Sequence, residues 1–268
     1  MSPFDSPYYE KPFAEGAFEH SGDTGGDDHT HESAHIHESS YIDRPCRIGA
    51  HTEIMRFSHV MAHSIIGSNC LIGNNVTVAS GVYIANNVQV MNNTTLNSGV
   101  ILEDEVYCGP STVFTENKWL RSNRHTELPQ SRISPTLVRF GAKIGANTTI
   151  GSGLTIGRFS FVEAGSVIDS HVPDFAIVYG NPLKFAGWQC RCGQTLLFPP
   201  EAQNNALKTA AQSVDNLQPV GNLQIECGAC GRSYAQTGKF QVVPVFEETI
   251  APSILTPSAS HTNVYGGS

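Results

Sequence analysis

Residues 65–78 read IIGSNCLIGNNVTV, and the aliphatic residue at every sixth position of this stretch decides the fold. Outward from it, the same period runs from Ile48 to Phe114 and resumes in phase from Val138 to Ile168. Sixteen of these eighteen positions, twelve in the first run and six in the second, are Ile, Leu or Val, far above ordinary composition. A period of six does not match the 3.6-residue helix, and with β-branched residues it is typical of a hexapeptide β-helix.

The hexapeptide repeat predicts a stack of short strands and turns. Each hexad points one large aliphatic residue inward, and because no single coil can bury its apolar side alone, the coils stack along an axis. We therefore predict an all-β chain built on a parallel β-helix. Asparagine tolerates positive φ and so suits the turns, and it recurs between the apolar positions at Asn69, Asn74, Asn75, Asn86, Asn87, Asn92 and Asn93.

Changes in composition divide the chain into four parts. Residues 1–43 are polar and carry five histidines, which predicts a disordered His-rich tail before the β-helix of residues 44–187. Within the β-helix, residues 115–137 leave and return without breaking the six-residue phase, which predicts an extruded loop with a functional role. Residues 188–245 form a small cysteine-bearing module, and we expect residues 246–268 to be a disordered tail.

Composition and charge exclude several classes of function. The formal net charge is −8 and no dense run of Lys and Arg occurs, so we expect no nucleic-acid partner. No apolar stretch approaches the length of a membrane span, and the first residues, MSPFD, lack the basic and apolar regions of a signal peptide. Seven cysteines without the density of a disulfide scaffold favour a reducing, cytoplasmic setting.

Four of the cysteines are spaced like metal ligands. Cys190 and Cys192 form one pair and Cys227 and Cys230 a second, and glycine follows each pair. Two such pairs build a tetrahedral four-thiolate site, which is the structural zinc arrangement. We therefore predict a zinc-ribbon-like module with structural Zn²⁺, the alternative being free or redox-active thiols. A closed four-thiolate site leaves no position for a substrate, so the metal would stabilise the module.

Several motifs within the repeats resemble one family of enzymes. Asn92-Asn93, LEDEVYCGPS at 102–111, Val113-Phe114-Thr115 and Arg121-Ser122 are similar to bacterial N-acetyltransferases that act on nucleotide-linked 3-amino sugars. This family includes the UDP-2-acetamido-3-amino-2,3-dideoxyglucuronate N-acetyltransferases. The likeness covers about residues 46–188 and is specific for left-handed β-helix acyltransferases, and it extends to the closing segments GAN at 145–147, VPDFA at 172–176, GNP at 180–182 and GW at 187–188.

The resemblance implies a left-handed β-helix that forms homotrimers with active sites at the subunit interfaces. Acetyl-CoA would lie between solenoids, the extruded loop would close over the sugar nucleotide, and the sugar amine would attack the thioester directly. The implied function is an acetyl-CoA-dependent N-acetyltransferase that modifies nucleotide-linked amino sugars for surface polysaccharide. The alternatives are O-acetylation of a sugar or small molecule, and a non-catalytic scaffold whose zinc module docks a partner.

The resemblance also nominates catalytic residues. The family commonly carries Asn directly after Phe-Thr, where the amine is held, but here Glu116 follows Thr115 and precedes Asn117. Either Glu116 takes that place, as a carboxylate that holds or deprotonates the amine, or Asn117 fills it. His59 matches a histidine of the family's first coils, and His63 is a second candidate for the general base.

Other residues are candidates for binding. Arg121 offers paired donors to a diphosphate, whereas Asn92 and Asn93 match the family's paired asparagines but also occupy turn positions. The resemblance implies CoA contacts from Lys184 and, mainly through the backbone, from the segment with Ala164 and Ser166. The three-histidine metal site of γ-type carbonic anhydrases, which share the scaffold, is a poor match, because the histidines here lack its spacing.

Overall fold

The computed structural model describes residues 28–116, 134–198, 223–238 and 241–245, which form four β-sheets. Three sheets are the flat faces of one parallel solenoid, in which each strand pairs with the strand one coil away. The described ranges contain no helix, and therefore none with the length and apolarity that a membrane span requires. The predicted fold class, an all-β parallel β-helix of hexapeptide repeats, is confirmed.

The strands are numbered in chain order, and we name the faces A, B and C. Face A has seven strands: β1 (His29–Thr30), β4 (Arg47–Ile48), β7 (Ile65–Ile66), β10 (Tyr83–Ile84), β13 (Val100–Leu102), β16 (Thr136–Val138) and β19 (Thr155–Ile156). Face B has ten: β2 (His35–Ile36), β5 (Glu53–Ile54), β8 (Leu71–Ile72), β11 (Gln89–Val90), β14 (Tyr107–Cys108), β17 (Lys143–Ile144), β20 (Phe161–Val162), β22 (Ala176–Tyr179), β23 (Lys184–Gln189) and β24 (Thr195–Leu196). Face C has seven: β3 (Tyr41–Ile42), β6 (His59–Val60), β9 (Thr77–Val78), β12 (Thr95–Leu96), β15 (Val113–Phe114), β18 (Thr149–Ile150) and β21 (Val167–Ile168).

The sixth-position side chains fill the solenoid. Ile66, Ile72 and Val78 are fully buried on the three faces of one coil, as the period predicts. The second column is also buried and ties the coils together: the Ser58 hydroxyl donates to the Gly73 carbonyl at 2.7 Å and accepts the Val76 amide at 3.0 Å. Because buried polar groups are stable only when paired, this column carries small hydroxyl, thiol or aliphatic residues.

Turns at three corners join the faces. In one coil the AB corner comprises residues 49–52, the BC corner 55–58 and the CA corner 61–64. Each turn carries a residue with positive φ, and asparagine takes this position at Asn69, Asn75 and Asn87 with φ of 56°, 55° and 57°. The asparagines predicted to favour turns therefore include residues in the left-handed conformation that a short polar side chain tolerates.

The structure differs from the sequence prediction at the first coil. Residues 28–43 were expected within the disordered tail, but β1, β2 and β3 pair in parallel with β4, β5 and β6. Ile36 and Ile42 continue the six-residue phase and are half-buried, while the histidines and serines occupy turn and outward positions. The polar composition of residues 28–43 predicts disorder, but these residues form a coil in which the inward-facing Ile36 and Ile42 are apolar.

The ends of the extruded loop and of the solenoid also differ from the prediction. Residues 136 and 137, expected in the loop, belong to β16, and residues 117–133 lie outside the described ranges. After the last coil, β22 turns back into β23 and β24, which extend face B as an antiparallel hairpin. The predicted boundary of the cysteine module at residue 188 therefore falls inside β23. The fourth sheet comprises β25 (Leu223–Glu226), β26 (Ser233–Gly238) and β27 (Gln241–Pro244).

Candidate active site and metal centre

The chain just before Glu116 is firmly held at the CA corner. Phe114 is fully buried, and its carbonyl accepts the Asn97 side-chain amide at 2.7 Å. The backbone amide and the hydroxyl of Thr115 both donate to the Ile150 carbonyl, at 2.8 and 3.1 Å. Glu116 follows, half-buried, and ends this described range. The alternative candidate, Asn117, and the proposed phosphate ligand, Arg121, lie outside the described residues.

Asn92 and Asn93 lie at the BC corner, in a ladder of turn contacts. The Asn92 side-chain oxygen accepts the backbone amide of Asn74 at 2.8 Å, and the Asn93 oxygen accepts the Asn75 side-chain amide at 3.1 Å. Asn93 has a φ of 60°. One coil earlier, Asn74 accepts the Arg56 amide at 3.2 Å in the same way as Asn92. These hydrogen bonds show that the asparagines stabilise the turns, whereas their role in substrate binding stays a prediction.

His59 lies on face C with partners from the first coil. Its Nε2 is 2.9 Å from an Asp43 carboxylate oxygen, and its ring meets Tyr41 edge-on with centroids 5.4 Å apart. Three strand spacings separate β6 from β15, so His59 and Glu116 are about 14 Å apart along the axis of one chain. His63 takes a turn position with φ 65°. The structure therefore does not bring these histidines to Glu116 within one solenoid.

The candidate CoA residues gather at the BC corner near the end of the solenoid. Ala164 is exposed, but Ser166 is fully buried, and its hydroxyl donates to the Glu163 carbonyl at 2.6 Å and accepts the Gly180 amide at 3.0 Å. Ser166 thereby fastens the turn that leads to Lys184. Lys184 is exposed at the start of β23. The surface open to a ligand here includes Ala164 and Lys184 but not the buried Ser166 side chain.

The predicted site residues fall on two different corners. Asn92, Ala164 and Lys184 lie along the BC corner, whereas Glu116 lies on the CA corner. Face C separates the two corners by about one hexad, roughly 15–20 Å of chain. A single solenoid therefore does not unite the residues predicted to bind CoA with the residue predicted to hold the amine.

The four predicted zinc ligands come together. All four sulfur atoms lie within 4.8 Å of one another, and Cys190–Cys230 and Cys192–Cys227 are 3.4 and 3.7 Å apart. Tetrahedral Zn²⁺ with Zn–S bonds of about 2.3 Å places its sulfurs about 3.8 Å apart. The sulfurs are also well beyond the ~2.05 Å of a disulfide bond. The donor set and spacing fit a four-thiolate zinc site.

Two tight turns present the sulfurs. The Gly193 amide donates to the Cys190 carbonyl at 2.8 Å, and the Gly231 amide donates to the Cys227 carbonyl at 2.8 Å. Both glycines have a left-handed φ, of 92° and 72°, which explains why glycine follows each pair. A hydrogen bond from the Arg232 backbone lowers the pKa of Cys230 to about 6, whereas burial raises the pKa of Cys190. Among the described residues this is the one group with metal-site geometry.

Sequence reasoning missed two partners of these sites. Asp43, which contacts His59, lies in the coil that was taken for a tail; Ile36 and Ile42, in phase with the repeat, were the available signal. Tyr234 contacts Cys190 from a different sheet, at a sequence separation of 44 residues. No local pattern marks that contact, because it depends on how two hairpins pack.

Two models of known protein families match parts of the repeats. The model of bacterial transferase hexapeptide (six repeats) matches residues 45–80, and the hexapeptide repeat of succinyl-transferase matches residues 64–98 and 141–170. The chain thus carries transferase hexapeptide repeats, as the sequence predicts.

Two relatives match parts of the chain. It is 46% identical over 63 residues to the dTDP-3-amino-3,6-dideoxy-alpha-D-galactopyranose 3-N-acetyltransferase of Aneurinibacillus thermoaerophilus, which covers 24% of this chain and 33% of that protein. It is 27% identical over 113 residues to YvoF of Bacillus subtilis (strain 168), named as an acetyltransferase, covering 42% of this chain and 59% of YvoF. The chain therefore spans less than two thirds of either relative.

Among solved structures, the chain resembles AntD, an N-acyltransferase from Bacillus cereus, in complex with dTDP and 3-hydroxybutyryl-CoA. The TM-score is 0.43 at 18% identity, over 68% of this chain and 90% of AntD. It also resembles PerB from Caulobacter crescentus in complex with CoA and GDP-perosamine, with a TM-score of 0.39 at 21% identity over 57% of each chain.

Proposed function

We propose that this chain is an acetyl-CoA-dependent N-acetyltransferase whose acceptor is the amine of a nucleotide-linked amino sugar destined for surface polysaccharide. The observation that carries the proposal is the 46% identity over 63 residues to an enzyme named for such a reaction. The transferase hexapeptide repeats matched at residues 45–80, 64–98 and 141–170 also support it.

The distribution of candidate residues supports a homotrimer. Asn92 and Lys184 lie at the BC corner and Glu116 at the CA corner, too far apart to contact one substrate within a chain. When solenoids pack side by side with parallel axes, one corner of a subunit faces a different corner of its neighbour. A cleft between two subunits would then combine Glu116 and the loop of one chain with Asn92 and Lys184 of the next.

The chemistry follows from these positions. Acetyl-CoA would lie along the BC corner, with Lys184 near its phosphates and the thioester towards Asn92, five strand spacings or about 24 Å away. Glu116 or Asn117 would hold the amine, and Arg121 would bind the nucleotide diphosphate. A trimer with parallel axes keeps the offset of about 14 Å between His59 and Glu116, so His59 would not accept the proton of that amine. Nitrogen attack on the thioester carbonyl forms the amide and releases CoA as the thiol, while the amine proton passes to a nearby base.

The proposal includes structural Zn²⁺ held by Cys190, Cys192, Cys227 and Cys230. The sulfur spacing supports this assignment, and the metal would cross-link two small hairpins that lack a large core of their own. Thiolate ligands persist in a reducing compartment, which supports a cytoplasmic location, where acetyl-CoA and nucleotide sugars are also made.

Thioester consumption by the purified protein tests the proposed reaction. A panel of UDP- and dTDP-linked amino sugars is compared with analogues that carry a hydroxyl in place of the amine. Turnover with the amino sugars only supports N-transfer, turnover with the hydroxyl analogues points to O-transfer, and no acetyl-CoA binding points to a scaffold. The variants Glu116→Gln and Asn117→Ala then locate the amine, and unchanged turnover in both would refute this placement.

A further inference from the structure

Tyr234 joins the thiol cluster to the solenoid. Its side chain is almost fully buried, and its oxygen lies 3.1 Å from the Cys190 sulfur. The same oxygen accepts the backbone amide of Arg191 at 3.0 Å. Because the amide supplies the proton of that hydrogen bond, the phenol's own proton is free to point at the sulfur. A hydrogen bond to a thiolate in this direction stabilises its negative charge.

The ring of Tyr234 ends a column of aromatic rings at the AB corner. It meets Phe175 edge-on at 5.4 Å, Phe175 stacks on Phe159 at 5.4 Å, and Phe159 meets Phe140 at 5.2 Å. The Arg191 guanidinium lies 5.2 Å from the centre of the Phe159 ring. The same residue, Tyr234, therefore contacts a metal ligand through its hydroxyl and the wall of the solenoid through its ring.

Two of these phenylalanines occupy an unusual backbone position. Phe159 and Phe175 have φ of 52° and 63°, at turn positions that asparagine takes in other coils. A bulky residue is unfavourable in this conformation. Phe57 holds the same conformation, with φ 59°, while it is exposed, so the turn position alone does not require packing. Phe159 and Phe175 differ from Phe57 because both are buried, in the column of rings that ends at Tyr234.

We propose that the four-thiolate centre is a metal-dependent latch, in which Tyr234 is the positioning residue. Cys190 and Cys192 lie between β23 and β24, the last two strands of face B, whereas Cys227 lies between β25 and β26 of the separate sheet. Among the described strands no backbone pairing joins these two sheets, and the contacts between them include those of the cysteine sulfurs and of Tyr234. Zn²⁺ binding then docks the β25–β27 sheet on the AB corner and closes the end of the solenoid. The latch does not depend on the acetyltransferase proposal.

Zinc affinity tests the role of the hydroxyl. The variant Tyr234→Phe keeps the ring but removes the proton donor, and loss of an outer-shell partner weakens metal binding about 10–100-fold. Competition with a chromophoric chelator measures this change in the full chain. The matched control is Tyr107→Phe, which removes a hydroxyl from face B and is expected to bind Zn²⁺ like the unmodified protein. Equal affinities for Tyr234→Phe and the unmodified protein would overturn the assignment.

Replacing Zn²⁺ by Co²⁺ tests whether the Tyr234 hydroxyl acts on the Cys190 sulfur or whether Tyr234 only supports the surrounding structure. Removing a hydrogen bond from a coordinated thiolate raises the energy of its lone pairs, so the sulfur-to-Co²⁺ charge-transfer band of Tyr234→Phe should move to longer wavelength. An unchanged band at saturating Co²⁺ would mean that Tyr234 does not act on Cys190.

Hydrogen exchange of the unmodified protein tests the latch without any substitution. Chelating the metal should remove protection from the amides of β25–β27 and leave the coils up to β20 protected. Equal protection with and without metal would overturn the latch, and so would purified protein that neither contains nor binds Zn²⁺.

Discussion

The carboxylate of Glu103 accepts the backbone amide of Phe140 at 2.7 Å, although 37 residues separate them. Glu103 follows β13, and Phe140 follows β16, the strand that pairs with β13 on face A. The Glu103 side chain is almost completely buried, and Arg139 approaches it to 3.9 Å. This contact fixes the register in which the chain resumes its coils, with Leu102 opposite Val138.

Glu103→Ala should lower the free energy of unfolding by about 1–3 kcal/mol, because it leaves the Phe140 amide without its acceptor. Glu103→Gln, which keeps an acceptor oxygen, should lose less. Denaturant unfolding measures both variants. Glu53→Ala on the exposed side of β5 is the control and should change stability by less than about 0.5 kcal/mol. A similar effect for Glu53 and Glu103 would contradict the proposed register contact.

The two phenylalanines Phe57 and Phe159 should respond oppositely to replacement by asparagine. Both have positive φ, 59° and 52°, but Phe57 is 69% exposed and Phe159 is 7% exposed. Phe57→Asn should be neutral or slightly stabilising, because asparagine tolerates the turn conformation. Phe159→Asn should cost about 2–4 kcal/mol through lost packing. The comparison uses chemical denaturation, and equal effects would argue against docking at the AB corner.

Stability should fall in alkaline solution because of two buried thiols. Burial raises the pKa of Cys70 to about 11 and that of Cys108 to about 12, from a reference of 9.0. The folded state therefore keeps both thiols protonated, while the unfolded state ionises above pH 9. The stabilisation is complete below pH 9 and is lost as the pH rises towards the folded-state values.

At pH 10 the expected loss is about 1.4 kcal/mol for each of these thiols. Urea unfolding at pH 8 and pH 10 measures the total change. The double variant Cys70→Ala with Cys108→Ala is less stable at both pH values but should show a smaller difference between them. A difference as large as that of the unmodified protein would assign the pH dependence to other groups.

Asn92 and Asn74 provide a matched pair for the substrate-binding prediction. Both accept a backbone amide from the preceding coil at the BC corner, so alanine at either position should cost about 1 kcal/mol of stability. Only Asn92→Ala should reduce kcat/KM for the amino sugar, by about 100-fold if its side chain also orients the acceptor. Steady-state kinetics distinguishes the two variants. Equal activities would assign Asn92 to the turn alone.

Lys184→Gln should raise KM for acetyl-CoA about 5-fold, since one phosphate contact is worth roughly 1 kcal/mol at an exposed site. KM for the nucleotide sugar and kcat should change little. Lys143→Gln, on the same face at β17, is the control, because Lys143 is also exposed but begins its strand at the AB corner, whereas Lys184 begins its strand at the BC corner. An unchanged KM for acetyl-CoA in Lys184→Gln would remove Lys184 from the cofactor site.

Much of the fold could be predicted because a six-residue period leaves few alternatives. The aliphatic residue at each sixth position, such as Ile66 or Ile144, must point inward, and the structure buries both completely. The asparagine turns followed from the tolerance of that side chain for positive φ. The first coil was missed because its polar composition outweighed its two phased residues, Ile36 and Ile42.

For the candidate sites too, the sequence predicted some features and missed others. The pairing of Cys190 and Cys192 with Cys227 and Cys230 could be predicted, because turns with short cysteine spacing and glycine already orient the ligands. The contacts of Asp43 with His59 and of Tyr234 with Cys190 could not, because each joins residues from different coils or sheets. The separation of Glu116 from the CoA candidates likewise depends on which corner each residue occupies.

The sequence by itself determined the repeating strand and turn, the inward column and the two short cysteine pairs, since each of these depends on residues close together in the chain. Only the tertiary structure decided that the cysteine module rests on the AB corner through Tyr234 and that Glu103 reaches Phe140 on the neighbouring coil. These contacts join segments that are distant in the sequence. They depend on how those segments pack against each other, and neither the six-residue period nor the spacing of neighbouring residues reveals that packing.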